Sequence, residues 1–188
     1  MKSFIIRLSE FPNSVKWADI AYNSAKTNQW DIHFFEGVNG LSSSLDQYNI
    51  TYNKKYKKTF NSFQRPGSLG CFLSHYLLWN KCVDLNESIC ILEHDVIINS
   101  PFPTLNFTEI LKFIKGPETK PAYIGKWWAS GAGYCVSPLG AKKLIDFVKS
   151  DGAMPSDVML NTGIVDIQFN NDKIVDIVNY NFSFTWDL

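Results

Sequence analysis

Hydrophobic positions along the first part of the chain alternate between short continuous runs and runs with helical spacing. Continuous apolar runs at residues 3–8 (SFIIRL) and 31–37 (DIHFFEG) predict two buried strands. Between them, apolar residues recur at helical spacing over residues 12–26, which predicts an amphipathic helix. Strands that alternate with helices are typical of βαβ units. The pattern therefore predicts an α/β fold with a largely parallel sheet.

After a polar excursion over residues 40–67, a longer helical pattern begins at Ser68, the predicted N-cap, and leads into a buried strand at residues 89–92. A Pro-punctuated loop follows this strand. The remaining predictions are a helix over 109–115, a strand at 122–125, a strand at 134–137, a helix opened by Ser137 and Pro138, a short helix from 155, and strands at 163–169 and 173–180.

Chain length and composition indicate one globular domain without net charge. The chain has 188 residues, which predicts a single domain over residues 1–188. Eighteen basic residues balance eighteen acidic ones, so the composition speaks against nucleic acid or a general membrane surface as a partner. Hydrophobic residues make up 45% of the chain, enough for a packed core.

Two features bear on the cellular compartment. The first residues have an apolar run too short for a signal peptide, and no stretch approaches the roughly 18 apolar residues that span a bilayer. We therefore expect a soluble, cytoplasmic protein without a transmembrane segment. The four cysteines form no CxxC pair and lie in apolar segments, so we interpret them as reduced core residues: Cys71, Cys82, Cys90 and Cys135.

Candidate chemistry is concentrated where the buried strand at residues 89–92 ends. Glu93, His94 and Asp95 follow its last apolar residue, and ligands of open α/β sheets bind at such strand ends. Alternation along an extended chain would point Glu93 and Asp95 to one side and His94 to the other. Two carboxylates on one side suit Mn²⁺ or Mg²⁺. The alternative is a solvated strand end with a capping or turn role.

The helical segment before this strand carries three residue pairs, and the strand itself ends in a polar triplet: Gly70 and Cys71, Ser74 and His75, Leu78 and Trp79, then Leu92, Glu93, His94 and Asp95. Two later stretches are GAGYCVSPLGAKKLI and PSDVML. Together these blocks resemble glycosyltransferase family 25, the group of the lipooligosaccharide and collagen galactosyltransferases. Members of that family carry Gly-Cys, Ser-His and Leu-Trp pairs in one helix, then a strand ending in Leu-Glu-Asp-Asp.

The resemblance implies a GT-A-like (Rossmann-like) fold with a mixed, mostly parallel sheet flanked by helices. It also implies a nucleotide-sugar donor, usually UDP-galactose or a relative, and inverting transfer to a hydroxyl of a saccharide or lipooligosaccharide-type acceptor. A divalent ion, Mn²⁺ or Mg²⁺, would be held at Glu93, His94 and Asp95. The sequence departs from the family at His94, where an aspartate is usual, and imidazole would change the geometry and the metal preference.

The catalytic base that inversion requires is assigned to Asp157 in the PSDVML block. Its alternative role is a first-turn aspartate stabilised by the helix dipole. Candidate donor-binding residues are polar, aromatic or glycine positions near the matched blocks, each with a structural alternative such as packing or solvation: His75, Ser74, Arg65, Glu93, Gly131, Gly133 and Trp128.

Three hypotheses from different classes follow. The first is a metal-dependent glycosyltransferase. The second is a catalytically inactive GT-A-like module that binds sugar or nucleotide, motivated by His94. The third is a metal-dependent phosphoesterase, which rests on the cluster of Glu93, His94 and Asp95 alone.

Overall fold

The computed structural model describes residues 1–56, 59–115 and 124–178. The strands within these residues are β1 (Ser3–Arg7), β2 (Ile32–Glu36), β3 (Ile89–Leu92), β4 (Val96–Ile98), β5 (Ile110–Lys112), β6 (Gly133–Val136), β7 (Ile167–Phe169) and β8 (Val175–Ile177). The helices are α1 (Pro12–Thr27), α2 (Thr59–Phe63), α3 (Pro66–Leu85), α4 (Pro138–Asp151) and α5 (Ser156–Met159).

A mixed sheet with strand order β2-β1-β3-β6-β5-β7 forms the centre of the described part of the chain. Strand β1 runs parallel to β2 and β3, β5 runs parallel to β7, and β6 is antiparallel to both of its neighbours. Strands β4 and β8 form a separate antiparallel pair. The fold class expected from the sequence, a mostly parallel sheet flanked by helices, is confirmed.

Both faces of the sheet are covered, which explains the continuous apolar runs of its central strands. On one face, α1 packs its small residues Ala18, Ala21 and Ala25 against the sheet. On the other face, α3 and α4 contribute a second cluster that includes Trp79 and Leu144. Helix α1 makes the crossover between the parallel strands β1 and β2, and α3 leads directly into β3.

The predicted helix over residues 109–115 is wrong, because this segment contains β5. Ile110, Leu111 and Lys112 are all buried, and their backbone pairs with β6 on one side and β7 on the other. A three-residue run is too short to show a strand period, so only the tertiary pairing decides its conformation.

Helix starts followed the sequence signals in one case and not in another. Ser137 caps α4 as predicted, because its hydroxyl accepts a hydrogen bond from the backbone N–H of Gly140. The predicted Ser68 cap of α3 is wrong: the helix begins at Pro66, and Arg65 is the N-cap residue without a side-chain capping bond. Proline fits the first helical position, where its missing N–H costs nothing.

The remaining expectations concern the polar excursion and the chain end. The excursion contains a 3-10 turn at Asp46–Tyr48 and the short helix α2. Strands predicted at 163–169 and 173–180 are present as the shorter β7 and β8, although residues 179 and 180 lie outside the described residues. Of the strand predicted at 122–125, residues 122 and 123 also lie outside them, and 124 and 125 form a bend.

Candidate functional site

Glu93, His94 and Asp95 form a turn, here called the acidic turn, that connects β3 to β4. The backbone N–H of Glu93 donates to the carbonyl of Ala132 (2.8 Å), and the carbonyl of Asp95 accepts from the N–H of Val178 (2.9 Å). These bonds tie the turn to the segment before β6 and to the end of β8. Because the chain turns here, the expected strand alternation of Glu93 and Asp95 does not set their side-chain directions.

The side chain of Glu93 faces two residues of α3. Its Oε1 lies 3.4 Å from Nε2 of His75 and accepts a 3.7 Å hydrogen bond from the thiol of Cys71. Cys71 and His75 are one helical turn apart, which places them on the same face of α3. Their ligand atoms and the Glu93 carboxylate oxygen all lie within 4.8 Å of one another.

Behind His75, a buried hydrogen-bond chain leads into the core. Nδ1 of His75 lies 2.8 Å from the hydroxyl oxygen of Tyr134, and Nε1 of Trp79 donates to the same oxygen at 2.8 Å. The rings of His75 and Tyr134 stack at 5.7 Å between centroids. All three side chains have 0% exposure, so this part of the site is rigidly packed.

All three side chains of the acidic turn have shifted pKa values. Burial raises the pKa of Glu93, but His75, His94 and Cys71 outweigh this effect and the pKa lies below its ordinary value. Burial lowers the pKa of His94 despite the charge of Glu93. Burial and the Glu93 charge raise the pKa of Asp95 to about 7. Oδ1 of Asp95 is buried and has no hydrogen-bond partner among the described residues.

Helix α5 brings Ser156 and Asp157 to the same place. The Ser156 hydroxyl lies 3.1 Å from the Cys71 thiol. A Cβ atom added to Gly131 would lie 3.7 Å from the Ser156 hydroxyl oxygen and 3.5 Å from Oε1 of Glu93. Burial, together with the negative charge of Glu93, raises the pKa of Asp157. The glycine thus borders both the acidic turn and the start of α5.

Lys112 brings a buried positive charge into the same electrostatic environment. The residue is 1% exposed, and its ammonium donates a 2.8 Å hydrogen bond to the backbone carbonyl of Trp128. Burial lowers its pKa to about 8, while the negative charges of Asp157 and Glu93 act in the opposite direction. A buried lysine is costly unless it is compensated, so its presence points to a functional role.

With this arrangement in place, comparison with known proteins identifies the family. The model of glycosyltransferase family 25 (LPS biosynthesis protein) matches residues 2–128, more than half of the 188 residues. The chain belongs to glycosyltransferase family 25. The matched region contains α3, β3 and the acidic turn, while Gly131, Ser156 and Asp157 follow it.

Two relatives of this family 25 chain are longer proteins. A "Glycosyltransferase 25 family member" of Aedes aegypti is 27% identical over 181 aligned positions, which cover 80% of this chain and 28% of the relative. The "Lipooligosaccharide biosynthesis protein lex-1" of Haemophilus influenzae is 34% identical over 144 positions, which cover 61% of this chain and 45% of the relative. The chain thus spans less than half the length of either relative.

A solved structure is similar in fold. The glycosyltransferase GlyE of Streptococcus pneumoniae TIGR4 superposes with a TM-score of 0.50 over 91% of this chain and 46% of its own length, at 11% sequence identity. This likeness supports the GT-A-like assignment of the family 25 chain. Among the described residues, no helix combines the length and apolarity that crossing a membrane requires.

The structure brings together several residues that the sequence analysis selected. Glu93, His75 and Gly131 are in contact distance of one another, and Asp157 and Asp95 share the electrostatic environment of Glu93. They come from four separate segments of the chain.

Other selected residues have packing or surface positions. The Ser74 hydroxyl donates to the carbonyl of Gly70 within α3 (2.7 Å) and accepts from the N–H of Val38 (2.8 Å), and the second bond ties α3 to the loop after β2. A Cβ at Gly133 would lie 3.3 Å from Val175, on the side of the β4–β8 pair. Arg65 is exposed at the start of α3, and the half-buried Trp128 packs its ring edge-on against Phe169 (4.8 Å).

Sequence reasoning missed four residues of this site. Cys71 was interpreted as a core cysteine, although its spacing of four from His75 indicates a shared helix face. Tyr134 lies in the family block GAGYCVS without a signal for its contact with His75. Ser156 precedes Asp157 directly, and Lys112 carries no sequence signal of burial.

Proposed function

We propose that residues 1–188 act as one GT-A-like catalytic domain that transfers a sugar, galactose or a related hexose, from a UDP-sugar to a hydroxyl of a saccharide or lipooligosaccharide-type acceptor. The reaction is metal-dependent and inverting. The observation that carries this proposal is the position of Glu93 beside Gly131, where backbone without a side chain leaves room for a ligand. Asp95 and Asp157 interact electrostatically with this same Glu93 carboxylate. A cytoplasmic location remains part of the proposal.

The acidic turn fits a hard divalent cation, Mn²⁺ or Mg²⁺. Oδ1 of Asp95 is buried without a hydrogen-bond partner in the described part of the chain, and its carboxyl is destabilised by burial next to Glu93. A cation held by Glu93 and Asp95 would remove both costs, and oxygen ligands are those that these ions prefer. The low pKa of His94 favours the neutral imidazole that a third ligand must be. When bound, the ion would offset charge that develops on the donor diphosphate.

Asp157 is the proposed base. Burial, and to a smaller degree the negative charge of Glu93, raise the pKa of Asp157, which makes its carboxylate a stronger base. The carboxylate takes the proton of the acceptor hydroxyl as that oxygen bonds to the anomeric carbon. The bond from this carbon to the diphosphate oxygen breaks, and the nucleoside diphosphate leaves with the electron pair. Attack opposite the leaving group inverts the anomeric configuration.

Several residues are proposed to bind the donor. Gly131 allows close approach to Glu93, and the half-buried ring of Trp128 offers an aromatic surface. Arg65 lies exposed at the N-terminus of α3, where a helix favours anions, so we propose that it contacts the diphosphate. Ser74 and Gly133 support this site through packing, because their contacts lie within the fold.

The experiment combines binding with turnover. Thermal unfolding is measured with nucleoside diphosphates and UDP-sugars, each with Mn²⁺ and with EDTA, and transfer or donor hydrolysis is followed on the same samples. We expect a metal-dependent shift with a uridine nucleotide and measurable turnover. Asp157→Asn should retain the shift and lose at least 100-fold in turnover. A wild-type protein that binds none of these ligands contradicts the proposal.

His94 motivates one second candidate, a catalytically inactive domain that binds sugar or nucleotide. This residue stands where the family usually has a carboxylate, which weakens a hard-cation site. The inactive domain predicts nucleotide binding without turnover, and His94→Asp should then create or raise Mn²⁺-dependent donor hydrolysis. Turnover by the wild-type chain excludes this candidate.

A further inference from the structure

Trp79, Tyr134 and His75 form a buried hydrogen-bond network behind Glu93. The donor and the acceptor of each bond in it can be assigned. An indole N–H can only donate, so the oxygen of Tyr134 must accept from Trp79. The phenol has one proton of its own, and Nδ1 of His75 lies 2.8 Å away. No other hydrogen-bond partner of this hydroxyl exists among the described residues. The phenol proton therefore belongs to the bond with Nδ1.

This assignment fixes the imidazole. If Nδ1 accepts from Tyr134, the proton of a neutral His75 must be on Nε2. That nitrogen is completely buried and makes no hydrogen bond in the described ranges, and Oε1 of Glu93 lies 3.4 Å from it. The opposite tautomer would leave the phenol proton without an acceptor and place a nitrogen lone pair against a carboxylate.

We propose that the hydrogen bonds of Trp79 and Tyr134 hold His75 in the Nε2–H tautomer. His75 then donates to Glu93 and positions the Glu93 carboxylate. The inference rests on the proposed role of Glu93 in holding cation and donor. His75 is thereby a positioning residue, because its ring is 0% exposed and its two nitrogens face Tyr134 and Glu93. The 3.4 Å separation is long for a hydrogen bond, and we expect it to shorten when a ligand occupies the site.

The same tautomer decides how the cluster of Cys71, His75 and Glu93 behaves. Its sulfur, nitrogen and oxygen atoms lie within 4.8 Å of one another, a donor set that suits Zn²⁺. Binding of Zn²⁺ would require a free lone pair on Nε2 of His75. In the proposed tautomer this nitrogen carries a proton instead. We therefore expect no thiolate site for a soft metal here.

The first test reads the tautomer directly and needs neither metal nor donor. Two-bond nitrogen–proton NMR correlations on protein labelled with ¹⁵N-histidine distinguish the protonated ring nitrogen from the bare one. The signals of His75 are identified by their loss in His75→Gln, against His33 and His94. We expect the Nε2–H form. The Nδ1–H form or a doubly protonated ring in the folded wild type overturns the inference.

The second test measures positioning with variants. His75→Leu should weaken Mn²⁺ binding 10–100-fold, the usual effect of losing a hydrogen-bond partner of a metal ligand. His75→Gln keeps an N–H donor near the position of Nε2 and should recover binding to within fivefold of wild type. Tyr134→Phe removes the phenol and should give a mixture of tautomers. His33→Leu, an exposed position, is the matched control and should change nothing.

Outcomes separate this inference from the proposed function. If the wild type binds no Mn²⁺ and no nucleotide, the proposed function fails, yet the tautomer is still measured. If Mn²⁺ binds and His75→Gln is as defective as His75→Leu, positioning by donation is wrong. A thiolate-to-metal charge-transfer band with Co²⁺ that disappears in Cys71→Ser also overturns it. If His75→Leu does not fold, the comparison of wild type, His75→Gln and Tyr134→Phe carries the test.

Discussion

The ammonium of Lys112 donates to the backbone carbonyl of Trp128 at 2.8 Å while the residue is 1% exposed. This bond joins β5 to the segment before β6 and holds a cation near Asp157 and Glu93. A buried cation costs folding free energy, and burial accordingly lowers the pKa of this group to about 8. Burial of Lys112 thus costs stability, while the negative charges of Asp157 and Glu93 compensate part of that cost.

Lys112→Met should stabilise the fold. Lowering a lysine pKa from 10.5 to about 8 corresponds to about 3 kcal/mol. Loss of the hydrogen bond to Trp128 offsets about 1 kcal/mol. We expect a net gain of about 2 kcal/mol in the free energy of unfolding at pH 7, measured by urea denaturation. Lys149→Met, an exposed change on α4, is the control and should have little effect.

The pH dependence of the difference in stability between wild type and Lys112→Met gives a second test. Between pH 8 and 10.5 the unfolded chain binds more protons at this lysine than the folded one, so wild-type stability rises with pH in that window. The advantage of Lys112→Met should therefore be full below pH 8 and shrink as the pH rises to 10.5. An advantage that is independent of pH would show that burial of the charge is not its cause.

Gly131→Ala should separate function from stability. The added Cβ would lie 3.5 Å from Oε1 of Glu93 and 3.8 Å from Cε1 of His75, which are ordinary contacts, so the fold tolerates it. The methyl group would nevertheless occupy the space in front of Glu93. We expect a melting temperature within about 2 °C of wild type, which corresponds to less than about 1 kcal/mol for a chain of this size. Donor affinity should fall about tenfold in a nucleotide titration.

Gly140→Ala is the contrasting glycine variant. A Cβ there would lie 2.6 Å from the backbone carbonyl oxygen of Glu109, so the backbones of α4 and the segment before β5 would have to separate. We expect a loss of about 2 kcal/mol in the free energy of unfolding, in the range that overpacking costs. Equal stability of Gly140→Ala and Gly131→Ala would contradict the packing argument for both positions.

Glu109 should matter for stability rather than for catalysis. Its carboxylate is 5% exposed, accepts from the backbone N–H of Asp166 (2.7 Å) and pairs with Lys143 of α4. Glu109→Ala leaves that N–H without its acceptor and should cost about 3 kcal/mol in urea denaturation. Glu109→Gln keeps an acceptor oxygen and should lose less than half as much. Similar losses in both variants would assign the effect to the ion pair with Lys143.

The local hydrophobic pattern was sufficient to predict α3 and β3, which carry most of the site. It was insufficient to predict β5, which contributes Lys112. Helix α3 and strand β3 were predictable because a 20-residue helix shows several turns of spacing and β3 is a continuous buried run. Strand β5 was not, because three residues carry no period and their burial comes from β6 and β7.

The site itself divides in the same way. Glu93 and Asp95 were predictable because charges directly after a buried strand are unusual. The partnership of His75 with Tyr134 was not, because the residues are 59 positions apart and meet only when α3 packs on β6. Lys112 gave no signal, since a lysine in a short run is normally exposed.

Asp95→Asn should abolish stabilisation by metal. At a hundredfold excess over its Kd, an ion that binds only the folded state adds about 2.7 kcal/mol to the free energy of unfolding. We expect wild type to gain an amount of this order with Mn²⁺ and a UDP-sugar, because the buried Oδ1 of Asp95 then gains its partner. Asp84→Asn, an exposed change at the end of α3, should keep the full gain. If Asp95→Asn retained the gain as well, the ion would bind away from the acidic turn, and Glu93 and Asp95 would have to be reassigned to the polar framework of β3 and β4.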